Sequence, residues 1–206
     1  MFITLEGTEG SGKSAQARLL AARLRAAGRA VVETREPGGT LLGAEVRAIV
    51  LGRDELDIAT RAEALLMNAS RAQLVEQVIR PALERDEVVI CDRFADSTLA
   101  YQGAGRGLPT DALASVIAFA TAGLQPDLTL LLDLPVEVGL ARKQAQAQAN
   151  RFEAETLAFH ARVRAAYQSL AAAEPHRWCC FDGVAPVDQV AGDIWHVVAV
   201  RMGLAA

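Results

Sequence analysis

The chain has 206 residues, 51% of them apolar and 22% charged, with a formal net charge of −4. That is the composition of a globular protein. An acidic balance gives no general attraction to nucleic acid or to an anionic membrane, so a phosphate-bearing ligand needs a local site. The most apolar stretch, 128–140, is interrupted by Asp133, Pro135 and Glu137 and is too short to span a bilayer. The N-terminus has neither a basic region nor a cleavage site, which points to a cytoplasmic protein. Cys91, Cys179 and Cys180 lack zinc-ligand spacing and read as reduced thiols.

In chain order, short apolar runs at 2–5, 30–32, 88–91, 128–132 and 178–181 alternate with helical patterns. The runs do not alternate strictly in polarity, which suits strands covered on both faces of a parallel sheet. The first helical pattern, 13–27, stops at Gly28. The second starts at Thr60, with Glu63 completing a capping box, and runs to 81–84. Others cover 110–122, 135–147 with Pro135 in the first turn, 153–172 and 187–202. The alternation predicts a single three-layer α/β domain with right-handed crossovers, spanning 1–206. A Gln/Ala patch at 144–149 reads either as a solvated helical stretch or as a mobile lid. His160, His176 and His196 have no motif around them and read as surface or interface residues; Trp178 and Trp195 read as core or subunit contacts.

One motif carries chemistry on its own. Gly7-Thr8-Glu9-Gly10-Ser11-Gly12-Lys13-Ser14 fits the P-loop pattern G-x-x-x-x-G-K-[ST], with a strand before it and a helix after it. The glycines let backbone N–H groups converge on phosphate oxygens. Lys13 can reach the β- and γ-phosphates, and the Ser14 hydroxyl can ligate Mg²⁺. A nucleoside triphosphate is the expected ligand.

Two further apolar runs end in aspartate, Asp92 and Asp133, and either could supply a carboxylate near Mg²⁺ at the carboxyl edge of the sheet. Asp92 is preferred because Arg93 follows it and can pair with a phosphate; Asp133 reads as a structural strand end. The guanine-reading Asn-Lys-x-Asp pattern is absent, and Arg35, Arg71, Arg93 and Arg106 in or near the loops point to a second anionic ligand.

The ordered motifs Thr34-Arg35-Glu36-Pro37-Gly38-Gly39-Thr40, Asn68-Ala69-Ser70-Arg71-Ala72-Gln73, Asp92-Arg93-Phe94 and Ser97-Thr98-Leu99-Ala100-Tyr101-Gln102-Gly103 resemble those of bacterial thymidylate kinases. Arg151-Phe152-Glu153 also matches. The resemblance implies a P-loop fold with strand order 2-3-1-4-5, a lid near 142–153, a homodimer, and transfer of the γ-phosphoryl of ATP to dTMP. It implies that Arg93, assisted by Arg35 and with Pro37 close by, holds the acceptor phosphate. Glu9 would meet the sugar 3′-hydroxyl, Arg71 the thymine edge, and Tyr101 the position a 2′-hydroxyl would occupy. Ser97 and Gln102 would add base and sugar contacts, Asp92 would lie near Mg²⁺, and Arg142 and Arg151 would form the lid clamp. Each role has a plainer alternative: an exposed helix arginine for Arg71, core packing for Tyr101, a structural ion pair for Arg35.

The chain departs from the family pattern in four places. Met67 stands where a phenylalanine stacks on thymine, and Ala15 where a threonine often follows the P-loop. Gln144, Gln146 and Gln148 replace lid arginines, leaving Arg142, Lys143 and Arg151 basic, and Asn150 replaces an aspartate. Two rival readings remain open at this point: another P-loop nucleoside or nucleotide kinase, and a nucleotide-binding regulator without turnover.

Overall fold

The structure, a computed structural model, describes residues 1–53, 55–145 and 151–204. Five parallel strands, β1 (Phe2–Glu6), β2 (Val31–Arg35), β3 (Val88–Asp92), β4 (Leu128–Asp133) and β5 (Trp178–Asp182), form one sheet in the order β2-β3-β1-β4-β5. This is the expected order. The three central strands are buried along nearly their whole length, while the edge strands β2 and β5 are only partly covered. Burial on both faces is why the central runs are continuously apolar.

Helices α1 (Lys13–Ala26) and α9 (Val187–Met202) cover one face, where Leu20, Leu24 and Ile194 pack on Ile3, Leu5 and Leu130. On the other face α8 (Leu157–Ala173) brings Phe159, Val163 and Tyr167 against Leu131 and Trp178. A second cluster there packs Leu74, Val75 and Ile79 on Phe2, Val89 and Cys91. The remaining helices are α2 (Leu41–Gly52), α3 (Thr60–Leu74), α4 (Arg80–Glu84), α5 (Ala95–Thr98), α6 (Thr110–Thr121) and α7 (Val136–Gln144). A π-helical turn, Val75–Ile79, joins α3 to α4, and another, Leu99–Gly105, extends α5.

Several local expectations are corrected. Each strand runs one to three residues beyond its apolar run, so that Glu6, Arg35, Asp92, Asp133 and Asp182 close the five strands. That places charged side chains along the carboxyl edge, where parallel α/β sheets bind ligands. Thr60 and Glu63 form no capping box: Ala59 caps α3 without a side-chain bond, and the Glu63 carboxylate instead accepts from Gln102 Nε2 at 2.9 Å and Arg106 Nη2 at 3.2 Å. Pro135 lies just outside α7, in extended backbone. The helix expected from 153 starts at Leu157, because Thr156 caps it by accepting from the Phe159 N–H at 3.2 Å. Helices α2 and α5 were not anticipated. Gln146, Gln148 and Asn150 fall outside the described residues, whereas Gln144 ends α7. Among the described residues no helix is long and apolar enough to cross a membrane.

Candidate active site

The P-loop connects β1 to α1 through backbone that only glycine accommodates easily. Gly7 has φ 142°, and a Cβ there would stand 2.5 Å from the Leu132 carbonyl oxygen. A Cβ on Gly10 would meet the Gly139 carbonyl oxygen at 2.1 Å, and one on Gly139 would meet that of Glu9 at 2.2 Å. The loop therefore rests on α7 backbone to backbone. Gly12 precedes α1, whose first turn carries no acidic residue, so the positive end of the helix faces the loop unopposed. Thr8, Glu9, Ser11 and Lys13 are buried. Lys13 Nζ donates to the Gly7 and Thr8 carbonyls at 3.0 and 2.7 Å and to Ser11 Oγ at 3.0 Å. Burial, then Arg93, pulls its ammonium down to about 8. Ser14 Oγ donates to Asp92 Oδ2, which brings the hydroxyl and carboxylate expected at a cation together at the mouth of the loop.

Asp92 is register partner to Leu5 on one side and Arg35 on the other. Arg93, next along, has φ 72°, left-handed backbone that is uncommon for a non-glycine residue and is stored at functional sites. Its guanidinium lies 4.8 Å from the centroid of the Tyr101 ring and donates to Tyr101 OH at 2.9 Å, Glu9 Oε1 at 3.1 Å, Tyr167 OH at 3.1 Å and Ser97 Oγ at 3.3 Å. Arg35 and Arg47 line the same cleft. Burial and then Arg35 lower the pKa of Arg47, Arg93 adding to the effect and Asp92 opposing it. Three guanidinium groups beside one carboxylate form a site for an anion. Asp133 stands apart from them: it accepts both arms of Arg164, at 2.7 and 2.9 Å, and is a structural strand end.

The cleft, about 820 Å³, continues from the P-loop past Pro37 and Met67 to Ser97, Tyr101 and Gln102. Arg71 reaches it from α3 and is 2% exposed, so it is not a solvated helix arginine. It bonds Glu36 at 2.7–2.8 Å, Asn68 Oδ1 at 2.9 Å, Thr98 Oγ1 at 3.0 Å and the Phe94 carbonyl at 3.1 Å. Tyr101 is core-packed and also part of the site: its hydroxyl lies 2.7 Å from both oxygens of Glu9. Arg106 lies off the cleft, bonded to Glu63 and Glu155 and over the rings of Phe152 and Phe159.

The two expected lid arginines are not brought together. Arg142 lines the cleft and donates to the Gly183 carbonyl at 2.8 Å, next to Ala185, Val187 and Val190. Arg151 does not line it; Nη2 donates to the Ile58 carbonyl at 3.2 Å. Lys143 pairs with Glu153 at 3.3 Å.

Four residues of the site escaped the motifs. Arg47 lies on the unread helix α2, although Thr40 followed by buried Val46 and Val50 is an N-cap with helical period. Glu6 and Tyr167 anchor the arginine loop: Glu6 accepts from the Phe94 N–H at 2.8 Å, Ser97 Oγ at 2.6 Å and Tyr167 OH at 2.9 Å. Burial, reinforced by Asp96, raises Glu6 to about 7. His160 is the fourth, and corrects the surface reading: it is 0% exposed, with Nδ1 3.4 Å from Glu9 Oε2. His176 and His196 are exposed as expected.

A family model described as thymidylate kinase matches residues 5–194. The chain is 53% identical over 201 residues to a thymidylate kinase of Deinococcus radiodurans, covering 98% of this chain and 97% of that protein. It is 56% identical over 195 residues to one of Leifsonia xyli, covering 94% and 92%. The crystal structure of thymidylate kinase from Ehrlichia chaffeensis superposes with a TM-score of 0.78 at 32% identity, over 96% of this chain and 98% of that one. With the P-loop, the arginine cluster at Asp92 and the sheet order already in agreement, the chain belongs to the thymidylate kinase family.

Proposed function

We propose that the protein transfers the γ-phosphoryl of ATP to dTMP, giving dTDP and ADP on the route to dTTP, in the cytoplasm. The observation that carries this reading is the convergence of Arg35, Arg47 and Arg93 beside a P-loop, since the reaction must bring two polyanions together. Lys13 and the loop amides hold the donor phosphates. Arg142, with the segment from Gly183 to Val190, supports the donor base end of the cleft. The acceptor phosphate rests on the three arginines, its sugar on Glu9 and Tyr101, and its base between Met67, Pro37 and Arg71, with Ser97 and Gln102 at the rim. The attacking phosphate oxygen is already an anion, so no general base is required.

Ser14 Oγ and Asp92 offer hard oxygen ligands at the loop mouth, and among the described residues no group of three or more His, Cys, Asp or Glu side chains is arranged to hold a metal ion. That sparse set fits Mg²⁺, which keeps waters and shares phosphate oxygens. When bound, the ion would neutralise charge on the transferring phosphoryl. A lid at 142–153 would need Arg151 to leave the Ile58 carbonyl in order to act on phosphate. The protein pairs as a homodimer through α2, α3 and α6, where Leu41, Leu65 and Phe119 are 89%, 58% and 89% exposed.

The test is ADP release with ATP and Mg²⁺, comparing dTMP, dUMP, ribothymidine monophosphate and thymidine. Turnover strongest with dTMP supports the reading. Turnover with thymidine but not dTMP, or nucleotide binding without turnover, overturns it.

A further inference from the structure

His160 has no part in the mechanism above, yet it occupies an unusual position. It lies on the buried face of α8 with Phe159, Val163 and Tyr167. Neither ring nitrogen makes a hydrogen bond, which is rare for a fully buried polar group. The ring of Phe159 stands edge-on to it at 5.4 Å. The nearest charged atom is Glu9 Oε2, 3.4 Å from Nδ1. Glu9 lines the cleft and His160 does not, so any effect of the imidazole on a ligand passes through the carboxylate.

Three groups surround that carboxylate on its protein side. Tyr101 OH lies 2.7 Å from both oxygens, Arg93 Nη2 lies 3.1 Å from Oε1, and His160 stands behind Oε2. Burial works against ionisation of Glu9, yet His160, then Arg93, Lys13 and Tyr101, hold its carboxyl at about 2. The terminal torsion of a glutamate is broad. The bonds from Tyr101 and Arg93 hold it at one side, and the His160 imidazole, packed 3.4 Å behind Oε2 without a formed hydrogen bond, restricts its rotation from the other.

We propose that His160 is a positioning residue: it fixes Glu9 from behind so that the carboxylate accepts from the 3′-hydroxyl of the acceptor sugar, making the enzyme selective for acceptors that carry this hydroxyl. The proposal rests on the reading that the dTMP sugar lies against Glu9.

The test compares dTMP with 3′-deoxy-dTMP in the wild type, H160F, H160N and E9Q. H160F keeps ring volume and removes the N–H; H160N keeps a donor near the Nδ1 position; H160L is the second apolar replacement should H160F fold poorly. In H160F the KM for dTMP rises about tenfold, the KM for ATP is unchanged, and the preference for dTMP over its 3′-deoxy analogue collapses. H160N restores most of that preference. An unchanged preference in both H160F and H160L, while E9Q loses it, overturns the role of His160 alone. If E9Q itself keeps the preference, the sugar does not lie on Glu9, and the underlying reading falls with the proposal.

Discussion

The backbone of Arg93 is left-handed, at φ 72°, and its guanidinium is shared among Glu9, Tyr101, Tyr167 and Ser97. A lysine would keep the charge and lose the planar fork. R93K is expected to lower kcat/KM for dTMP on the order of a thousandfold, with the KM for ATP little changed, in steady-state kinetics with each substrate varied in turn. Asp92 and Asp133 look alike in the sequence, each closing an apolar run, but only Asp92 meets the P-loop. D92N is expected to slow turnover about a hundredfold and to raise the magnesium requirement. D133N breaks a partly exposed pair with Arg164, so it should leave turnover alone and cost about 1 kcal/mol in denaturant unfolding. Lys13 is held at about 8 against an ordinary 10.5, while a bound triphosphate favours its charged form. Donor binding should therefore take up a proton between those values, and affinity should fall as pH rises through 8. Titration calorimetry at about pH 9 in buffers of differing ionisation enthalpy measures the uptake. At this scale the sequence revealed residues with a motif around them and hid those without one. Nothing local marks His160 except its place on the apolar face of α8, and Glu6 and Tyr167 become site residues only when the fold brings together two positions 161 apart.

Among the elements, the three central strands were legible because burial on both faces makes their runs apolar, and the partly covered edge strands by shorter apolar runs. Their last residues were less so, because each strand continues onto a charged residue, three of which, Glu6, Arg35 and Asp92, belong to the site. Helix α2 was hidden because its stretch is largely apolar, broken by Gly43 and ended by Gly52, and Arg47 was hidden with it. Helix α7 was found, but not its contact with the P-loop, which depends on Gly139. Alanine in a helix interior ordinarily stabilises by up to about 1 kcal/mol relative to glycine. Here the added Cβ would stand 2.2 Å from the Glu9 carbonyl oxygen, and overpacking of that kind costs about 1–3 kcal/mol. The second effect wins, so G139A is expected to melt at a lower temperature in scanning calorimetry and to bind ATP more weakly. A G139A protein as stable as the wild type would show that the loop moves off the helix at little cost.

For the whole molecule, Leu41, Leu65 and Phe119 on α2, α3 and α6 are the exposed apolar residues proposed above as the subunit contact. Phe119 is its most exposed aromatic residue, at 89%. On the proposed homodimer, a charge there separates the subunits: the wild type should elute and scatter light as a dimer and F119E as a 21.9 kDa monomer, with unchanged far-ultraviolet dichroism. A dimeric F119E would move the interface elsewhere. The sheet order followed from the family motifs, while the proposed subunit face could not, since exposed apolar residues are recognised only after burial has been assigned.

The Gly10–Gly139 contact also constrains how the sequence can change. When two side chains crowd each other, one can shrink to make room for the other. Here each partner presents only hydrogen at Cα, and the obstacle is a carbonyl on either side. Enlargement at one position cannot be relieved by trimming the other. A genetic screen for second-site suppressors of G139A should therefore return true revertants, or changes that displace the whole of α7, and no substitution at position 10.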